Sequence, residues 1–223
     1  MSHFSTRHAI LFDFDGTIAD TFDALLAATN RLAPEFGYEP TDPQTARHLQ
    51  GLTTRELIQQ SGISLFKLPR LLRRLRVELR VEIPRSRPFP EIDTTLKTLK
   101  QQGHYLGIVT SNSADNVSLF LDRWQLSDLF DEIYTGATLF GKSRILRKLL
   151  AKTPLDPATT LYVGDETRDI AAARKVGIQI ASVTWGFNAE ALLVAESPDF
   201  VIRHPTELLQ VVAQMRSRST ASR

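Results

Sequence analysis

Four short apolar runs, HAILFDF, YLGIVT, LYVGD and IQIASVTW, are each followed by a turn and then by a helical pattern. Strands separated by helices close into a parallel sheet with helices laid over it, so this alternation points to an α/β fold. A weaker strand is expected at EIYTG and a short one at DFVI.

One stretch breaks the rhythm. From about Asp20 to Arg87 the periodicity is helical and no strand stands out. The stretch opens directly after the first strand and its turn, and it closes in EIPRSRPFPEI, where Pro84, Pro88 and Pro90 mark a stiff linker rather than a helix or a central strand. The expected organisation is an α/β core made of residues 1–19 and 88–223, carrying a helical cap over residues 20–87 inserted after the first strand. Within the cap, LFKLPRLLRRLRVELRVEI sets Leu68, Leu72, Leu75 and Leu79 on one side and Arg70, Arg73, Arg74 and Arg80 elsewhere around the helix. That is the pattern of an amphipathic helix with a solvated basic face.

Composition narrows the function. The chain has 223 residues, 42% of them apolar, enough for a full core. Cysteine is absent, which excludes disulfides, thiolate metal sites and a cysteine nucleophile, and fits a cytoplasmic protein. The apolar run near the start is broken by Asp13 and Asp15 before it could serve as a signal-peptide core, and no stretch is long enough to span a membrane. A net charge of +2 is too weak a bias to argue for nucleic acid.

The chemistry-bearing residues cluster where strands end. HAILF runs into Asp13-Phe14-Asp15-Gly16-Thr17, so two carboxylates leave the carboxyl end of a buried strand, the edge where open α/β sheets bind ligands. Period-two geometry puts both on one side with Phe14 pointing away, and Gly16 lets the backbone turn close to a ligand. A lone D-x-D also fits a turn or a helix cap. Crowding carboxylates beside an apolar strand is costly, however, and a bound cation relieves it. A second acidic group, Gly164-Asp165-Glu166-Thr167-Arg168-Asp169, follows the strand LYV. Asp13 and Asp165 meeting across neighbouring strands suit a hard, oxygen-seeking cation such as Mg²⁺, with Asp169 one helical turn on as a supporting partner.

YLGIVT ends in Thr110-Ser111-Asn112-Ser113 before a helical pattern, whose free amides and hydroxyls make a phosphate site, although Ser113 also fits a simple N-cap. Lys142 follows Gly141 at the start of a helix, placed to neutralise phosphate at the same sheet edge. Arg55, in GLTTR of the cap, is a candidate substrate contact beside the commoner role of a surface ion pair. Trp185, Gly186 and Phe187 are candidates for the pocket rim.

In order and content these motifs resemble the haloacid dehalogenase superfamily, in particular its helical-cap members similar to phosphoglycolate phosphatase. The likeness runs from about Ala9 to the region of Val212. It implies a Rossmann-like parallel sheet with an inserted α-helical cap. It implies that Asp13 is the nucleophile and Asp15 the general acid and base, both at the metal with Asp165. It implies that Thr110 and Ser111 hold phosphate oxygens, that Lys142 steadies nucleophile and phosphoryl group, and that Asp169 supports the Mg²⁺ site. Related phosphatases often follow this lysine with proline, whereas here Ser143 follows.

The implied activity is hydrolysis of a small phosphate monoester, phosphoglycolate-like or another small metabolite, through an aspartyl phosphate. Asp15 also fits a phosphomutase of the same superfamily. Gly136–Ser143 matches the G-x-x-x-x-G-K-[ST] phosphate loop letter for letter, which keeps a nucleotide hydrolase open. That reading leaves Asp13, Asp15 and Thr110 without a role. A regulatory phosphoacceptor domain would not carry a large helical cap.

Overall fold

The computed structural model describes residues 7–135, 137–138, 141–153 and 155–221, with side chains through residue 215. The first strand, β1 (Ala9–Phe12), is followed by a two-residue strand, β2 (Ala19–Asp20). Helices α1 (Phe22–Phe36), α2 (Pro43–His48), α3 (Thr54–Gln60) and α4 (Leu68–Glu82) come next, and a second short strand, β3 (Arg87–Pro88), returns antiparallel to β2. The rest alternates: α5 (Ile92–Gln101), β4 (Tyr105–Val109), α6 (Ala114–Arg123), β5 (Glu132–Tyr134), α7 (Lys142–Lys152), β6 (Thr160–Gly164), α8 (Thr167–Arg174), β7 (Gln179–Val183), α9 (Glu190–Ala195), β8 (Phe200–Ile202) and α10 (Glu207–Ala221). Every strand expected from the sequence is present.

The main sheet has the order β5-β4-β1-β6-β7-β8 with all pairs parallel. Successive strands build outward on one side of β1 and then, from β6, on the other. The reversal therefore lies between β1 and β6, and the crevice at such a switch point is where this architecture binds ligands. Alternation within β1 explains the two faces. Ile10 and Phe12 are buried with Leu96, Phe120 and Val212 from α5, α6 and α10, while Leu11 is buried with Leu146, Ile170 and Leu193 from α7, α8 and α9.

The proline-rich linker contains more structure than its composition suggests. Ile83–Arg85 forms a 3₁₀ turn and Arg87–Pro88 pairs with β2. Proline is tolerated there because it sits in an edge pair, where no further strand needs its missing N–H. In α4 the deeply buried leucines are Leu71 and Leu79, with Leu68 and Leu75 packed beside them, so the buried stripe passes through Leu71 and not Leu72. Nor is the basic face merely solvated. Arg70 and Arg74 pair with Glu35 of α1 at 2.9 and 3.0 Å, Arg74 with Glu78 at 3.2 Å, and Arg80 with Asp115 of α6 at 3.3 Å. Exposed pairs of this kind each contribute about 0–1 kcal/mol, so their effect is mainly to fix how α4 lies. No helix among the described residues is long and apolar enough to cross a membrane.

Candidate active site

Asp13 is the first residue after β1, and its amide still bonds the Val163 carbonyl of β6 at 2.8 Å. It has the parity of Leu11, so its side chain turns toward α7 and α8. Lys142 opens α7 there, 2% exposed, and its ammonium donates to Asp13 Oδ2 and, at 2.6 Å, to Asp169 Oδ1 in the first turn of α8. The other Asp13 oxygen accepts the Phe14 amide at 2.7 Å. Phe14 points away, edge-on to Phe120 in the core.

Asp165 follows β6 in the same way and is fully buried. Thr17 Oγ1 donates to its Oδ1 and the Phe187 amide to its Oδ2, both at 2.8 Å. The backbone beside it has little freedom. A Cβ on Gly16, whose φ is +75°, would fall 2.2 Å from Asp165 Oδ2, and one on Gly186 would fall 2.3 Å from Asp165 Cβ and 2.4 Å from the Gly16 carbonyl. Only glycine fits at either place. Gly186→Ala is expected to lower unfolding free energy by about 1–3 kcal/mol, the usual result of overpacking a tight site. Urea denaturation measures it, and a variant as stable as the parent would show that Asp165 has room to move.

Asp15 goes elsewhere. The chain leaves the strand through a turn in which the Ile18 and Ala19 amides bond the Phe14 carbonyl at 3.0 Å. The Asp15 carboxylate accepts from Thr21 Oγ1 at 3.1 Å and from Asn112 Nδ2 at 3.1 and 3.0 Å. The Asp15 carboxylate thus has partners of its own, different from those of Asp13. Among the described residues, the acidic groups able to offer oxygens within 4.8 Å of one another are Asp13, Asp165 and Asp169; the Asp15 carboxylate lies outside this trio.

Thr110 is fully buried at the end of β4, where its hydroxyl accepts the Asn112 amide at 3.0 Å. Ser113 caps α6 by accepting from the Asn116 amide at 3.3 Å. Ser111 offers its carbonyl to Arg76 Nε of α4 at 2.8 Å. Arg55 is exposed on the first turn of α3 and lines a cleft of about 380 Å³ together with Thr54, Lys142, Ser143 and Arg168. The sequence thus brings Asp13, Lys142, Asp165 and Asp169 into one buried group, Asp15 and Thr110 onto a shared neighbour, Asn112, and Arg55 to the cleft wall. In the candidate phosphate loop, Lys142 is committed to Asp13 and Asp169. Gly136, Leu139 and Phe140 of that motif lie outside the described residues.

Three further partners are not among the site residues expected from the sequence. Asn112 is one. The others are Glu166 and Arg168, a buried pair in which the guanidinium donates to Glu166 Oε1, while Thr54 of the helical segment donates to Glu166 Oε2 at 2.7 Å. The D-E-T-R-D spelling hinted at them, since an arginine between two acids needs a partner. Trp185 and Phe187 do edge the site: Trp185 Nε1 donates to the Thr17 carbonyl at 3.2 Å, and Phe187 supplies the amide on Asp165.

The electrostatics follow from crowding in a dry place. Burial pushes Asp165 well above the carboxylate range, and Glu166, Asp13 and Asp169 add to the effect. Burial likewise raises Asp13 against the opposing charges of Lys142 and Arg168, and brings Asp169 to about 6. Burial works against the charge on Lys142, but Asp13 and Asp169 outweigh it and its pKa is raised. Glu166 is held low, because Arg168, Lys142 and Thr54 together exceed the effect of burial. Asp15 is raised by burial, with Asn112 and Thr21 pulling the other way.

Comparison with known proteins finds relatives that cover most of the chain. The family model described as haloacid dehalogenase-like hydrolase matches residues 10–183. A phosphoglycolate phosphatase of Synechococcus elongatus is 40% identical over 207 residues, covering 93% of this chain and 98% of its own. One from Aquifex aeolicus is 29% identical over 207 residues, covering 91% and 95%. Among solved structures, a haloacid dehalogenase-like family hydrolase from Streptococcus pneumoniae superposes with a TM-score of 0.77 at 25% identity, over 92% of this chain and 98% of that one.

Proposed function

This chain belongs to the haloacid dehalogenase-like hydrolase family and is a phosphoric monoester hydrolase, and from that premise we propose that it cleaves a small phosphorylated metabolite, of the phosphoglycolate type, through an aspartyl phosphate on Asp13. The observation that carries the mechanism is the pairing of buried Asp13 with Lys142 at the switch point of the sheet, with a second carboxylate, Asp15, two residues on and differently held.

Asp13 attacks phosphorus, the P–O bond to the leaving group breaks, and Asp15 gives that oxygen its proton. Water then attacks the phosphoryl group, surrenders a proton to Asp15, and the P–O bond to Asp13 breaks, which restores the Asp13 carboxylate and the protonated Asp15 and releases phosphate. Lys142 holds Asp13 oriented and offsets charge on the phosphoryl oxygens, while Thr110 and Ser111 with the start of α6 bind those oxygens. Residues 20–87 act as the cap: they reach the core through Thr54 on Glu166 and Arg76 on Ser111, exclude water, and present Arg55 to the substrate.

The site fits magnesium. Asp13, Asp165, Glu166 and Asp169 face two cations, Lys142 and Arg168, an excess of two negative charges in a buried place. A dication balances that excess, and the donors are the oxygens Mg²⁺ prefers. Asp13 and Asp165 would hold it, with Asp169 fixed behind them by Lys142 and by the Glu166 amide at 3.1 Å. When bound, it adds positive charge opposite the transferring phosphoryl group. Asp15, also expected at the metal, lies outside the close trio and is hydrogen-bonded to Thr21 and Asn112, so Asp13 and Asp165 are the ligands proposed here.

A pH effect follows. The raised carboxylates make the metal-free fold bind protons more tightly than the unfolded chain, so their stabilising effect is present at low pH and fades as pH rises through the Asp169 value of about 6. A bound Mg²⁺ would take the place of those protons. The melting temperature is expected to rise on adding Mg²⁺ at about pH 8, much less at about pH 5.5, and to fall back with chelator. A shift equal at both pH values would contradict a site built on these carboxylates. For the activity itself, a panel of phosphorylated metabolites is assayed with Mg²⁺, with Asp13→Asn as the blank. Release of phosphate from phosphoglycolate or another small monoester is expected, and none from any monoester would defeat the proposal.

A further inference from the structure

Asn112 is 3% exposed and every polar atom of its side chain is committed. Its Nδ2 donates to both oxygens of Asp15 at 3.1 and 3.0 Å, and its Oδ1 accepts the Ser113 amide and Asn116 Nδ2, both at 2.8 Å. This set permits one orientation of the amide. Turned over, it would face a carboxylate with its oxygen and two donors with its nitrogen. Asn116, 1% exposed, uses its other amide hydrogen on the carbonyl of Arg76 in α4, at 2.9 Å. Arg76 itself bonds the Ser111 and Ala137 carbonyls at 2.8 and 3.2 Å. A continuous run of hydrogen bonds therefore leads from the backbone of α4 through two asparagine amides to Asp15.

We infer that Asn112 is a positioning residue for Asp15, aiming its carboxylate at the leaving-group oxygen, and that Asn116 sets Asn112 while gripping α4. The inference rests on the reading of Asp15 as acid and base. Thr21, the other side-chain donor to Asp15 among the described residues, reaches a single oxygen and leaves the carboxylate free to swing about that bond. The paired contact from Asn112 removes that freedom.

Loss of aim at the acid has a signature that loss of fold or of phosphate binding lacks. An alkyl leaving group needs a proton, whereas 4-nitrophenolate leaves without one. Asn112→Ala, and the isosteric Asn112→Asp, which keeps the oxygen toward Ser113 and Asn116 but removes the donor to Asp15, are compared with the parent. With phosphoglycolate, kcat is expected to fall about tenfold to a hundredfold with little change in KM. In single turnover with excess enzyme, nitrophenolate release from 4-nitrophenyl phosphate is expected to stay near the parent rate. Asn116→Ala should show the same split in weaker form. Equal losses with both esters, or no loss with either, would overturn the positioning role. Asp15→Asn is the control: if it lacks the split, the acid-base reading of Asp15 has failed, and if it shows the split while the Asn112 variants do not, only the present inference has.

Discussion

Asp13→Asn is expected to lower turnover of a phosphate monoester by at least about 10⁴-fold while leaving the fold in place. The amide keeps the size of the carboxylate and can still sit against Lys142, but its oxygen is a poor nucleophile toward phosphorus. Stability should hold, because the buried group carries four carboxylates against two cations, and removing one negative charge reduces the excess. The combination is what discriminates. A lost fold would explain lost activity trivially, whereas an inactive variant that melts at or above the parent temperature in the absence of metal locates the effect in the chemistry. Its response to Mg²⁺ should also shrink, since one of the two proposed ligands has become neutral. Steady-state assays with thermal melts in parallel give both readings.

Lys142→Met is expected to do the reverse, damaging activity and stability together. Lys142 is the ammonium between two buried carboxylates, and removing one partner of a buried ion pair leaves the others uncompensated, at a cost of about 3–5 kcal/mol. The loss should depend on pH. Without the ammonium, Asp13 and Asp169 are driven further up, so the folded variant takes up protons that the unfolded chain does not. Its deficit is then greatest at about pH 8 and shrinks toward about pH 5.5, where those protons are available. Urea unfolding at the two pH values measures this. A deficit below about 1 kcal/mol, or one of equal size at both pH values, would mean that Lys142 is not the counter-charge of this group.

The strands could be found in the sequence because each is a short apolar run with a turn behind it, and burial on both faces of a parallel sheet demands such runs. The weak β5, with Glu132 and Ile133 exposed, was legible only as a faint signal, since an edge strand needs fewer apolar residues. The pairing of β2 with β3 was not legible. Two residues have no periodicity, and Pro88 argues against a strand wherever its neighbours are unknown. Leu71 and Leu72 are adjacent on a helix, and which one lies inward depends on where α1 packs, through Leu32 and Phe36.

At the site, Asp13, Lys142, Asp165 and Asp169 could be placed because charge stranded at the ends of apolar strands has few inexpensive explanations. The loop that carries Asp15 is evident from the sequence, but the partners of its carboxylate, Thr21 and Asn112, are not. Asn112 is an ordinary turn and cap residue in type, and only the approach of the β4–α6 loop to the β1 turn gives its amide a carboxylate to hold. Glu166 is similar: its contact with Thr54 joins residues 112 positions apart, a distance over which local pattern carries no information.

In the proposed mechanism Asp13 carries the phosphoryl group. The direct measurement uses Asp15→Asn, in which the second step lacks its base, mixed in excess with 4-nitrophenyl phosphate and Mg²⁺ and quenched in acid after one turnover. Borohydride reduces an acyl phosphate to an alcohol, so peptide mass spectrometry should find homoserine in place of aspartate at position 13 and at no other aspartate. Nitrophenolate released in that turnover with position 13 unmodified, or with the label at another residue, would contradict the account.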